Sequence, residues 1–169
     1  LDTSFVGVAI PNSLSFSDKE QQVLRVASQL VKNEFLHRAV REEGGAYGAQ
    51  CASNLQGDAG GVTMSSYRDP TPQKTIETFA KVGEWVGTKE NITQERVDQS
   101  KLRLFASIDA PMSPDQYGAD KFLFGCDYEQ RQESRAKLLD VSVQDVLDIA
   151  PQFFSQEGGK ARVASLVPK

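Results

Sequence analysis

An α+β domain with a mainly antiparallel sheet and its helices packed on one face is the fold class this sequence predicts. Three observations lead there. Apolar runs of strand length stand near both ends, two extended segments flank a glycine-rich turn, and amphipathic helical stripes fill the rest. The order is strand, helix, strand pair, several helices, strand. A doubly wound parallel sheet would instead alternate strand and helix throughout. No repeat or low-complexity tract is present, and residues 1–169 read as one domain.

Phe5-Val6-Gly7-Val8-Ala9-Ile10 is a short apolar run closed by Pro11-Asn12, a strand followed by a turn. Ser17-Asp18-Lys19-Glu20 has the Ser-x-x-Glu form of a capping box at a helix start. Val23, Val26, Ala27, Leu30, Val31 and Phe35 then lay down a stripe near the 3.6 period. This helix is expected to run to about Glu43 and to stop at Gly44-Gly45, because glycine accepts the left-handed conformation that ends a helix. Tyr47–Ser53 and Val62–Tyr67 read as an antiparallel pair around a longer loop, Asn54 to Gly60. Thr71-Pro72 reads as an N-cap with proline at the first helical position, followed by a stripe of Ile76, Phe79, Val82 and Val86 with Trp85 beside it. A helix after Thr93 carries Val97, Leu102, Phe105 and Ile108, and ends before Ala110-Pro111. Ser113-Pro114 opens another helical piece, Tyr128–Leu139 and Ser142–Phe154 are further helices, and Lys160–Val167 closes the chain as a strand.

Composition removes several classes of function. With 39% hydrophobic and 25% charged residues the chain is ordinary globular material, long enough to bury roughly 70% of its unfolded surface. A formal net charge of -4 argues against nucleic acid, whose phosphates need a basic face. No apolar run approaches the roughly 20 residues of a membrane span. Cys51 and Cys126 are too few for a disulfide-framed scaffold and are expected to be free, buried thiols in a reducing compartment. The chain opens at Leu1 with neither a signal nor a transit peptide, so it is expected to be an excised piece of a longer polypeptide.

The chemistry that can be assembled is limited. A zinc hydrolase needs about three protein ligands and an open position, and neither H-e-x-x-h nor the inverted H-x-x-e-h order occurs. The chain has one histidine, His37, placed one helical turn before Arg41 and expected to pack or hydrogen-bond. A nucleophile triad would have to use that same mid-helix histidine without a supporting motif. Gly44-Gly45 ends a helix, whereas a phosphate-binding turn precedes one. Arg41 and Tyr47 remain, a guanidinium and a phenol close to a bare glycine junction. Their plain structural roles are a cation at a helix C-terminus and an aromatic on a strand. Arg68-Asp69-Pro70 likewise fits a strand end turning into a helix. Asn91-Ile92-Thr93 has the form of a glycosylation sequon, but Thr93 serves better as a helix cap.

Leu36-His37, Val40-Arg41-Glu42 and Gly44-Gly45-Ala46-Tyr47-Gly48 closely resemble the C-terminal part of the presequence-protease and falcilysin-like branch of the pitrilysin/insulinase metallopeptidases. Ser66-Tyr67-Arg68-Asp69-Pro70, Thr75-Ile76-Glu77-Thr78-Phe79, Ile108-Asp109-Ala110-Pro111 and Phe122-Leu123-Phe124-Gly125 continue the resemblance in order. It implies a LuxS/mitochondrial-processing-peptidase-like metallohydrolase fold, as the last and zinc-free domain of a four-domain clamshell. The zinc site lies in the first domain of such enzymes, so zinc would sit in the N-terminal part of the parent and no cofactor on this chain. The last domain faces that zinc across an enclosed chamber and supplies an arginine and a tyrosine to substrate binding, which by motif position are Arg41 and Tyr47. Arg68 is a further substrate-binding candidate.

The implied partners are a peptide substrate and the sister domains of the same polypeptide, with neither nucleic acid nor membrane. The chain alone is expected to be inactive, and catalysis to belong to the full-length zinc metalloendopeptidase. A cytoplasmic setting follows for a bacterial parent, and the mitochondrial matrix or a plastid for a eukaryotic one. The competing expectation is a catalytically silent scaffold or partner-binding domain of a peptidase-like protein.

Overall fold

The computed structural model describes residues 3–56, 59–111, 113–114, 118–156 and 161–168. Strand β1 (Ser4–Asn12) leads into helix α1 (Lys19–Leu30), which continues without a break as a π-helix (Val31–Glu42). Strands β2 (Gly48–Gln56) and β3 (Ala59–Asp69) form a hairpin. Helices α2 (Pro72–Ala80), α3 (Val82–Gly87), α4 (Gln94–Ile108), α5 (Ala119–Phe124), α6 (Tyr128–Leu139) and α7 (Val143–Phe154) follow, and β4 (Arg162–Leu166) closes the sheet. The four strands lie in the order β2-β3-β1-β4, every neighbouring pair antiparallel. This is the antiparallel α+β class that the strand order predicts.

Alternation along the strands sorts the sheet into two faces. Val6, Val8 and Ile10 of β1, and Val62 and Met64 of β3, are buried against Val23, Leu24, Ala27 and Leu30 of α1, with α7 and α3 behind. The other face carries Gly7, Ala9, Ala52, Gly61, Thr63, Ser65 and Tyr67, and these residues are exposed or half-buried. Pro11 stands in a strand interior without losing a ladder bond, because the β4 pairing spans only Phe5 to Ala9.

Several local expectations change. The Ser17–Glu20 capping box does not form: α1 begins at Lys19, and the Asp18 carboxylate accepts from the Ser15 N–H at 2.7 Å instead of capping the helix. Thr71 precedes α2 but its hydroxyl donates to the Gly44 carbonyl at 3.1 Å, tying α2 to the glycine junction. The stripe from Ile76 to Val86 belongs to two helices, parted at Lys81. On α4, Leu102 is 69% exposed, while Val97, Ser100, Leu104 and Ile108 turn inward. A step of five residues from Val97 to Leu102 rotates about 140° around an α-helix, whereas seven nearly returns to the same line. The hairpin strands run on through much of the expected loop, with Asn54 opposite Gly61 and Gln56 opposite Ala59; Gly57 and Asp58 lie outside the described residues. The start of the helical piece at Ser113-Pro114 also falls partly outside them. Thr93 does cap α4, accepting from the Arg96 N–H.

Neither cysteine is in a disulfide, and both are buried. Burial pushes the Cys51 thiol up to about 12, so almost no thiolate is available near neutrality, and the thiolate is the nucleophile. Iodoacetamide at mildly alkaline pH is expected to leave Cys51 unmodified in the folded chain and to modify it fully in concentrated urea. Intact-mass and peptide analysis check this; rapid stoichiometric alkylation of native Cys51 would contradict it.

Candidate functional site

The candidate site forms where the π-helix ends and the hairpin begins. Gly45 adopts φ +78°. Its N–H returns to the Arg41 carbonyl at 3.0 Å, and the Ala46 N–H returns to the Val40 carbonyl at 3.1 Å. Together they make a glycine-terminated cap that closes the helix and turns the chain into β2. Arg41 stands in the last turn before this cap and Tyr47 directly after it; both side chains are exposed.

Tyr47 is 61% exposed, but its ring is not loose. It packs at 5.3 Å on the Tyr67 ring, tilted by 59°. The Arg68 guanidinium lies over its face, also at 5.3 Å, a cation–π contact worth about 0.5–1 kcal/mol when exposed. Arg68 reaches that position from a backbone with φ +49°, the sole non-glycine with positive φ among the described residues. Such a conformation costs about 1–3 kcal/mol and persists where the surroundings enforce it. Here the enforcement comes from both sides: the Tyr47 N–H reaches the Arg68 carbonyl at 3.4 Å, and Asp69 next to it is 1% exposed. Asp69 does not pair with Arg68; it accepts from the Ser66 hydroxyl at 2.6 Å and from the Thr71 N–H at 2.8 Å.

Gly48 opposite Tyr67 is required sterically. A Cβ there would stand 2.5 Å from the Tyr67 ring, so that ring lies flat across the glycine backbone. The register continues the row from Tyr67 to Phe5 and on to Leu166 across the open face of the sheet.

Arg41 makes different contacts. Its Nη1 is 3.0 Å from His37 Nε2, and His37 Nδ1 is 3.3 Å from Glu42 Oε1. Arg38 and Glu43 pair at 2.9 Å on the same turn. The structure therefore joins Tyr47, Tyr67 and Arg68 in one stack and Arg41 with His37 and Glu42 in another, on either side of Gly44-Gly45. His37, expected to pack or hydrogen-bond, is exposed and hydrogen-bonds Arg41. The sequence marks Tyr67 as a strand residue within the Ser66–Pro70 resemblance but not as a partner of Tyr47; the signal for that contact is the glycine placed opposite it. Among the described residues no three His, Cys, Asp or Glu side chains come together in a way that could hold a metal ion, so these residues do not fit a zinc site. No described helix is long and apolar enough to cross a membrane.

Residues 14–165 match the family model described as the PreP C-terminal domain. The mitochondrial presequence protease of Yarrowia lipolytica is 36% identical over 165 residues, covering 98% of this chain and 16% of that protein. That of Emericella nidulans is 37% identical over 167 residues, again 98% of this chain and 15% of that protein. The chain thus spans less than a fifth of the length of the relatives it matches. Among solved structures, an inactive peptidase domain from Bordetella parapertussis has a TM-score of 0.83 at 15% identity, covering 99% of this chain and 93% of that one. A peptidase M16 inactive domain from Pseudomonas fluorescens has a TM-score of 0.73 at 14% identity, covering 100% of this chain and 41% of that one. Those likenesses are of fold, and the ordered sequence match carries the assignment: the chain belongs to the family of PreP C-terminal domains.

Proposed function

We propose that this chain is the metal-free domain of a larger zinc peptidase, one that binds peptide and completes the catalytic site with Arg41 and Tyr47. The observation that carries the reading is the exposed Tyr47 phenol, held in one pose by Tyr67 and Arg68 where an uncovered sheet face meets the helix end bearing Arg41. Peptide hydrolysis places negative charge on the scissile carbonyl oxygen, and a guanidinium and a phenolic O–H are suitable donors for it. Small residues at Gly7, Ala9 and Gly61 leave room for an extended peptide to approach. In this reading Arg68 serves mainly to hold the Tyr47 ring.

The hydrolytic zinc belongs to another domain of the same polypeptide, and this chain alone is inactive. Phe122 at 90% and Tyr128 at 74% exposure on the helical side are apolar surfaces that sister domains would cover. The relatives are presequence proteases of mitochondria, and mitochondrial presequences are basic amphipathic peptides. A net charge of -4 on this chain favours their approach, so we assign the parent the same substrate class and a mitochondrial setting.

A photo-reactive benzoylphenylalanine at Ser65, on the open face, tests the reading in the chelator-treated full-length protein. It is expected to capture a presequence-like peptide, while the same residue at Glu129 on α6 does not. No capture at Ser65, or equal capture at both positions, would remove the assignment of this face.

A further inference from the structure

We propose that His37 is a positioning residue for Arg41, acting through a directional chain from Arg41 to His37 to Glu42. The role deepens, and rests on, the reading of Arg41 as a peptide-binding donor. A guanidinium has five N–H donors and no acceptor. The contact of 3.0 Å between Arg41 Nη1 and His37 Nε2 therefore requires Nε2 to offer its lone pair. A neutral imidazole with a bare Nε2 carries its proton on Nδ1. That nitrogen is the one that faces Glu42 Oε1, at 3.3 Å, where the proton is donated to a carboxylate. One proton placement satisfies both contacts, and the reverse tautomer breaks both.

The winding of the helix makes the chain possible. In an α-helix residue 42 lies about 140° around the axis from residue 37. Here the Glu43 N–H reaches back five residues to the Arg38 carbonyl, at 2.9 Å, and side chains five apart come onto one face. Arg38 with Glu43 repeats the pairing of His37 with Glu42. The His37 side chain is 47% exposed, so the chain adds little to stability in water. Its effect is orientation. A free arginine samples many rotamers; one held through Nη1 presents its remaining donors in a fixed direction.

His37 is the chain's single histidine, so magnetic resonance of its isotopically labelled ring nitrogens needs no assignment by mutation. The expected spectrum shows a protonated Nδ1 and an unprotonated Nε2, and Arg41→Ala shifts the Nε2 signal. In the full-length protein His37→Ala is expected to lower kcat/KM about 10-fold, and His37→Gln, whose amide both accepts and donates, to recover to within about 3-fold. In an Arg41→Ala background His37→Ala is expected to add less than about 2-fold, the non-additivity of residues acting through one another.

An Nε2-protonated ring, or an equal cost of His37→Ala with and without Arg41, would overturn the positioning role while leaving Arg41 itself in place. Full activity of Arg41→Ala would remove the functional reading of Arg41, and the role of His37 with it, even if the tautomer were found.

Discussion

Arg41→Ala and Tyr47→Phe, each introduced into the full-length protein that carries this chain, are expected to lower kcat about 100-fold, the size of a lost oxyanion donor. The two substitutions are informative because both side chains are exposed and neither supports the core. Tyr47→Phe is the cleaner of the pair. The phenylalanine ring keeps its contacts with Tyr67 and Arg68 and loses only the O–H, so a fall in turnover isolates the donor from the packing.

The loss should appear in kcat more than in KM. On the proposed reading, the charge that these groups stabilise is absent from the bound peptide and develops in the transition state. Arg41→Lys keeps the charge but not the planar fork, and is expected to fall between the wild type and alanine. On the same reading, donors carried on a domain apart from the metal would also couple turnover to closure of the halves. Steady-state kinetics with a fluorogenic peptide, beside circular dichroism to verify the fold, checks all three variants. An unchanged kcat for both Arg41→Ala and Tyr47→Phe would leave the domain with binding or scaffolding only.

The strands and most helices were legible because each buries one face and so obeys a period. Val6, Val8 and Ile10 alternate, and Val23, Leu24, Ala27 and Leu30 follow the helical stripe. The change to π-helical winding leaves only a trace in the sequence. Leu36 is fully buried and Phe35 only partly, so the core positions pass from Val31 to Leu36 in a step of five. That step is out of phase for an α-helix and natural for a winding that bonds five residues back.

The site was legible in its members but not in their pairing. Gly44-Gly45 announced the junction, and Arg41 and Tyr47 were singled out beside it. Which side chains touch depended on register and on backbone conformation. Tyr67 meets Tyr47 because Gly48 stands opposite it in the hairpin, a register that no single residue states. Arg68 reaches Tyr47 through a positive φ that nothing in an arginine announces.

Gly44→Ala is expected to destabilise the 169-residue chain by about 3 kcal/mol, at the upper end of overpacking, and by more than Gly45→Ala. The usual rule points the other way. Gly45 has the left-handed φ of +78°, where a side chain costs about 1–2 kcal/mol; its added Cβ would meet only the Pro70 ring, at 3.3 Å. Gly44 is the buried one. A Cβ there would stand 2.5 Å from the Val40 carbonyl oxygen and 3.1 Å from that of Ala39. Both are backbone atoms of the helix end and cannot swing aside as a side chain can. The Val40 oxygen also accepts the Ala46 N–H that closes the cap, so a methyl group there competes with the bond that turns the chain into β2. The Gly44 carbonyl in turn holds the Thr71 hydroxyl, and with it the start of α2. Relief of the clash must therefore move the helix end that bears Arg41, the strand that bears Tyr47, or the α2 anchor. Urea unfolding monitored by circular dichroism ranks the two variants, and a smaller loss for Gly44→Ala than for Gly45→Ala would show that the helix end yields without cost to the cap.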